Sequence, residues 1–128
     1  MIDIETGKQS ILKTGGKPEL IHSNKDHSLL YISNFFGNKI HIIDTENGEI
    51  VKEIENIKTP EEAILSEDEN ILYVVSFDLS EVYVYDAVKL EKKSISYETG
   101  NKPIGVMPVG NKLYVSNYGD NSISIINK

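Results

Sequence analysis

A five-residue pattern returns three times along this chain at an almost constant interval. It reads Leu30-Tyr31-Ile32-Ser33-Asn34, then Leu72-Tyr73-Val74-Val75-Ser76, then Leu113-Tyr114-Val115-Ser116-Asn117. The tyrosines are 42 (73 − 31) and 41 (114 − 73) residues apart. Pro18, Pro60 and Pro103 keep nearly the same step, 42 (60 − 18) and 43 (103 − 60). Behind each copy comes a second alternating run: Lys39-Ile40-His41-Ile42-Ile43-Asp44, Glu81-Val82-Tyr83-Val84-Tyr85-Asp86 and Ser122-Ile123-Ser124-Ile125-Ile126-Asn127. Alternation of apolar and polar residues is the signature of strands with one face buried. Short strands repeating every forty or so residues predict the blades of a β-propeller.

Turn residues divide each unit into four strands. The first unit has strands at 20–22, 29–33, 39–43 and 50–54, and the second at 63–65, 71–75, 81–85 and 92–97. The third has strands at 104–107, 112–115 and 122–126. The Asn47-Gly48 turn is expected to supply the positive φ angles of a tight hairpin. The expected fold is all-β: three four-stranded blades covering residues 18–57, 60–99 and 103–128, with 9–12 as the outer strand of the last. Ile2-Asp3-Ile4-Glu5-Thr6-Gly7 parallels Ile43-Asp44-Thr45-Glu46-Asn47-Gly48, so residues 9–12 are in phase with an outer strand. Two arrangements follow. Either two copies close a six-bladed ring by exchanging that strand, or the chain supplies part of a larger propeller. The partners are accordingly a second copy or the remaining blades of a longer chain, together with an unidentified protein or small-molecule ligand.

The 128 residues carry 13 basic side chains, all lysine, against 20 carboxylates, a net charge of −7. Without a basic cluster or a single arginine, the chain lacks the phosphate-neutralising surface of a nucleic-acid binder. The absence of cysteine excludes disulfides, thiolate metal sites and cysteine nucleophiles. No apolar run approaches the length of a membrane span. No signal peptide follows Met1, so the chain as written is expected to be cytoplasmic, or extracytoplasmic if excised from a longer protein.

Gly100-Asn101-Lys102-Pro103, Tyr114-Val115-Ser116-Asn117 and Asn121-Ser122-Ile123-Ser124-Ile125-Ile126 together resemble the YVTN-type β-propeller repeat of bacteria and archaea. The first unit is similar through Tyr31-Ile32-Ser33-Asn34 and Ile42-Ile43-Asp44, while the second departs at Val75-Ser76 and Ser80-Glu81. The resemblance spans essentially the whole chain. It implies a binding scaffold, often secreted or surface-associated, and it is nearly silent on activity because the motif residues are scaffold. Related propellers carry lactonase or redox activity through residues outside the motif, and no matching set occurs here.

In such a blade the loops between second and third strands share one face of the disc with the starts of the first strands, which line a central channel. Phe35, Phe77 and Tyr118 hold equivalent loop positions and are candidates for an aromatic platform; the plainer reading is that they cap the blade junctions. Phe36 breaks the repeat and is a candidate ligand contact. Glu19, His22, Glu61 and Glu62 fall at or near the channel mouth. Crowded carboxylates there would raise one another's pKa or hold a divalent cation, but solvated charges in a wet channel are the plainer reading. His27 and His41 are read as a solvated turn residue and a packing residue. No catalytic set, metal-loop spacing or cofactor motif is present. The leading expectation is a non-enzymatic binding scaffold. The alternatives are a lactonase-like or other hydrolase with an acidic channel, and a structural or surface-layer component.

Overall fold

The structure, a computed structural model, describes residues 1–128. It contains eleven strands and one short 3₁₀ turn. Strands β1 (Pro18–Ser23), β2 (Leu29–Asn34), β3 (Lys39–Asp44) and β4 (Glu49–Ile54) form the first sheet. The second is β5 (Pro60–Leu65), β6 (Ile71–Ser76), β7 (Glu81–Asp86) and β8 (Lys92–Glu98). The third is β9 (Pro103–Val109), β10 (Lys112–Asn117) and β11 (Ser122–Asn127), with a 3₁₀ turn at Tyr118–Asp120 between the last two. Every sheet is an antiparallel meander in chain order. The inner strands β1, β5 and β9 each begin at the repeated proline, earlier than alternation alone indicated, and each slips register against its neighbour close to that end. Proline has no N–H to give a ladder, so it suits a strand's first residue.

The blades pack face to face, and burial follows position in the stack. In the middle blade β6 is covered on both sides: Leu72 and Val74 join Tyr31, Ile40, Ile42, Ala63 and Tyr85 in one core. Tyr73 and Val75 join Val82, Val84, Val106, Leu113 and Val115 in the other. This double burial explains why Ile71–Ser76 reads as a nearly continuous apolar run. Strand β10 instead alternates, burying Leu113 and Val115 while Tyr114 and Ser116 stay accessible.

Both ends of the stack leave apolar surface open. Ile21 follows Pro18 as Ala63 follows Pro60 and Val106 follows Pro103, yet Ile21 is 59% exposed where the other two are 1% and 3%. On the far side of the third blade, Met107 and Ile125 pair across Tyr114 and Ile123 pairs with Ser116, so one face presents all four large side chains. Residues 8–13 lie outside the three sheets. Their one ladder contact is the Ile2–Gln9 bridge, so within one chain the expected outer strand does not reach β11.

The turns repeat as faithfully as the strands. The left-handed conformation recurs at Asn38, Ser80 and Asn121 (φ 54°, 54° and 52°) and at His27, Glu69 and Gly110. At Gly7, Gly48 and Leu90 it terminates a turn whose Asp (Asp3, Asp44 or Asp86) accepts backbone N–H groups. In the Asn47-Gly48 turn only the glycine has positive φ, so one left-handed residue is enough there.

Candidate functional site

The residue after each inner-strand proline is Glu19, Glu61 or Ile104, and the residue after each second strand is Phe35, Phe77 or Tyr118. The fold brings these two rows of register-equivalent positions to the same end of the blades. Glu19, Leu20, Glu61, Phe77, Ile104 and Tyr118, contributed by all three blades, line one open cleft of about 410 Å³.

Above the cleft the aromatics form a short chain. Phe35 meets Phe77 edge to face, with ring centroids 5.5 Å apart at 68°, and Phe36 meets Phe35 at 5.1 Å and 73°. This is the attractive arrangement for aromatic quadrupoles. Lys17 Nζ sits 5.8 Å and 5.6 Å from the Phe35 and Phe36 centroids, and Lys102 Nζ 5.7 Å from that of Phe77. The same Lys17 ammonium pairs with Glu19 at 3.1 Å. Glu61 has no such partner among the side chains. Burial, and then the neighbouring Glu19 charge, push its carboxyl above the usual carboxylate range against the opposing pull of Lys17.

The loops that carry these groups are pinned by the repeat's own asparagine. Asn34 Oδ1 accepts N–H bonds from Lys17 and Gly37, both at 2.8 Å, and its Nδ2 donates to the Gly15 carbonyl at 2.9 Å and to His41 Nε2 at 3.0 Å. Space around it is so tight that a Cβ on Gly37 would lie 2.6 Å from Asn34 Cγ. Asn117 repeats the arrangement with weaker partners, donating to the Ser122 and Ser124 hydroxyls beside Gly100. In the second blade, Ser76 donates to the Lys58 carbonyl and Thr59 Oγ1 accepts from the Asp78 N–H instead. His41 is buried, and desolvation above all lowers its pKa against the opposing pull of Glu53. Its Nδ1 lies 3.2 Å from Glu53 Oε2 without the alignment of a hydrogen bond.

Glu62 and His22 stand apart from the cleft. Glu62 Oε1 is 2.6 Å from His22 Nε2 of the first blade, while Oε2 accepts the Val106 N–H of the third at 2.5 Å. The carboxylate is thereby occupied with holding three blades together. Of the eight residues singled out in the sequence, Glu19, Glu61, Phe77 and Tyr118 share the cleft, Phe35 packs on Phe77 and Phe36 on Phe35 outside its lining, and Glu62 and His22 pair with each other. Sequence reasoning did not find Lys17 and Lys102 over the rings, nor Leu20 and Ile104 as apolar walls. The repeat register, which sets Ile104 level with Glu19 and Glu61, was the signal available. No group of three or more histidine, aspartate or glutamate side chains is arranged to hold a metal ion, and no helix is long and apolar enough to cross a membrane.

No family model and no curated protein sequence matches the chain. Its backbone is similar to that of Kuenenia stuttgartiensis hydrazine synthase, with a TM-score of 0.78 and 26% identity over 93% of this chain and 36% of that one. It is similar also to a putative 6-phosphogluconolactonase from Bacteroides fragilis (TM-score 0.76, 19% identity, 91% and 36% of the two chains). The β-propeller domain of Myceliophteria thermophila Swd1 resembles it at a TM-score of 0.74 and 12% identity, over 90% and 35%. Three blades of a β-propeller make up this chain. They span about a third of the length of the solved structures they match, and the likenesses carry the fold rather than an activity.

Proposed function

We propose that the chain is a non-enzymatic binding scaffold whose ligand contacts lie in the cleft at the inner ends of its blades. The observation that carries this reading is convergence: Glu19, Glu61, Phe77 and Tyr118, scattered over 100 positions (118 − 19 + 1), line one cleft with apolar walls. A few polar groups set among apolar and aromatic surface are the usual makeup of a recognition site. The Asn34 clasp gives the platform a fixed backbone, in keeping with the scaffold role that the YVTN-type resemblance implies for the motif residues. A hydrolase built on the same channel would need both an acid and a base there; Glu62 is occupied between blades and Glu19 pairs with Lys17, which leaves Glu61 alone. The test is a thermal-shift screen of peptides, sugars and metal ions against the wild type and the Phe77→Ala and Tyr118→Ala variants. A ligand that binds the native cleft raises the melting temperature of the wild type and loses that effect in both variants. A ligand whose shift survives both substitutions sinks the assignment.

A second reading concerns the partner. The open face at Met107, Tyr114, Ile123 and Ile125 has the register of the faces that the next blade covers elsewhere, and Ile21 marks the complementary open face at the other end. A second copy, or further blades, would bury both. Counted from Asp3 and Asp86, residues 9–12 hold the positions of Lys92-Lys93-Ser94-Ile95 in β8 and would supply an outer strand for β11. Light scattering on a size-exclusion column decides between the two. A dimer mass that Tyr114→Asp reduces to a monomer supports a second copy, whereas a monomer at every concentration rules it out.

A further inference from the structure

We propose that the cleft receives a primary alkylammonium group, with its ammonium at Glu61 and its methylene chain between Phe77, Tyr118, Leu20 and Ile104. This rests on the binding reading above and names the chemistry of its ligand.

The two carboxylates of the cleft are unequal. Glu19 already holds Lys17 at 3.1 Å, but Glu61 pairs with no protein cation although it is partly buried beside a like charge. A carboxylate kept in that state is unfavourable in the empty protein and gains an unusual amount from an incoming cation. Around it, Phe77 and Tyr118 contribute aromatic surface, and Leu20 and Ile104 are 42% and 37% exposed. An ammonium on a flexible hydrocarbon stem satisfies both demands, its charge at the carboxylate and its methylenes against the apolar and aromatic walls.

Other ligand classes fit less well. A hard divalent cation requires six or more oxygen ligands, and the cleft offers two carboxylates, one of them already paired. An anion would meet the carboxylates first, because Lys17 and Lys102 lie over the aromatic rings and do not line the cleft. A neutral sugar needs donors as well as acceptors, and the Tyr118 hydroxyl is the one side-chain donor in the lining.

The test compares three probes of one length (pentylammonium, 1-pentanol and pentanoate) by titration of the full chain, followed through the Phe77 and Tyr118 ring signals in NMR. The expected result is saturable perturbation of both rings by pentylammonium, with pentanol weaker by about tenfold or more and pentanoate without effect. Glu61→Gln should weaken pentylammonium by a similar factor while leaving the fold intact by circular dichroism, and Glu61→Asp should retain most of the affinity. Equal binding of pentanol, or an unchanged affinity in Glu61→Gln, overturns the cationic assignment while leaving the cleft as a binding site. If neither these probes nor any member of the wider screen perturbs the two rings, the binding reading falls with it. A lysine-containing tripeptide and 1,5-diaminopentane then separate the sources. Tighter peptide binding assigns a protein side chain, and tighter diamine binding a free polyamine.

Discussion

Replacing Asn34 by alanine tests whether the repeat's asparagine is a clasp for the loops or only a well-packed residue. Its amide makes four hydrogen bonds, two as acceptor from Lys17 and Gly37 N–H and two as donor to the Gly15 carbonyl and His41 Nε2. At a net value of about 1 kcal/mol per bond, truncation should destabilise the chain by roughly 3–4 kcal/mol. Asn117 is the internal control. It is buried to nearly the same degree, 3% exposed against 1%, so the volume lost on truncation is matched. It makes only two bonds, both to rotatable serine hydroxyls, and its Oδ1 has no partner. Asn117→Ala should therefore cost about 1–2 kcal/mol. Urea unfolding followed by circular dichroism measures both, provided the slope with denaturant is unchanged. Equal losses in the two variants, or a loss under about 1 kcal/mol for Asn34→Ala, would refute the clasp and leave packing as the reason for the motif.

Glu61→Gln should stabilise the protein at pH 7. The folded state raises the pKa of Glu61 above its ordinary 4.5, so its ionised form is disfavoured by folding. Below pH 4.5 the group is protonated in both states and the wild type carries no penalty. The advantage of the variant in urea midpoint should thus be present at pH 7 and shrink as the pH falls through that window; an advantage independent of pH would contradict the assignment. Ser80→Asn should stabilise by about 0.5–1 kcal/mol, because Ser80 sits at φ 54° where the other two blades use Asn38 and Asn121. A melting temperature at or below that of the wild type would rule that out. Glu62→Ala should destabilise by about 1–3 kcal/mol and speed hydrogen exchange at the Val106 amide, which it leaves without its acceptor. Unchanged protection there would show that the contact contributes nothing.

The blades were legible because strand pairing leaves a period-2 record and the repeat copies it three times. Leu72 through Val75 even disclose burial on both sides, through the loss of alternation. Loop residues at fixed repeat positions were legible as a set, so Phe35, Phe77 and Tyr118 were found together. What they touch was not, because Phe35 and Phe77 meet while Tyr118 instead shares a cleft with Phe77. The Glu62–His22 pair was legible only in part: the repeat put both residues near the channel mouth, but their direct contact, between blades and 40 residues apart, is recorded by neither periodicity nor turn chemistry. The exposure of Ile21 was equally hidden, since its register position is buried in the other two units and only place in the stack distinguishes it.

In a row of modules that each grip only the next, melting starts at an end and travels inward, and the loss of one junction leaves the others intact. Glu62 breaks that pattern, because one carboxylate answers to a neighbour on each side. Loosening the first blade disturbs the residue that caps an amide of the third. The central blade therefore acts as a keystone. A disturbance at either flank is felt at the other through a side chain that appears in the sequence as one acidic residue among twenty.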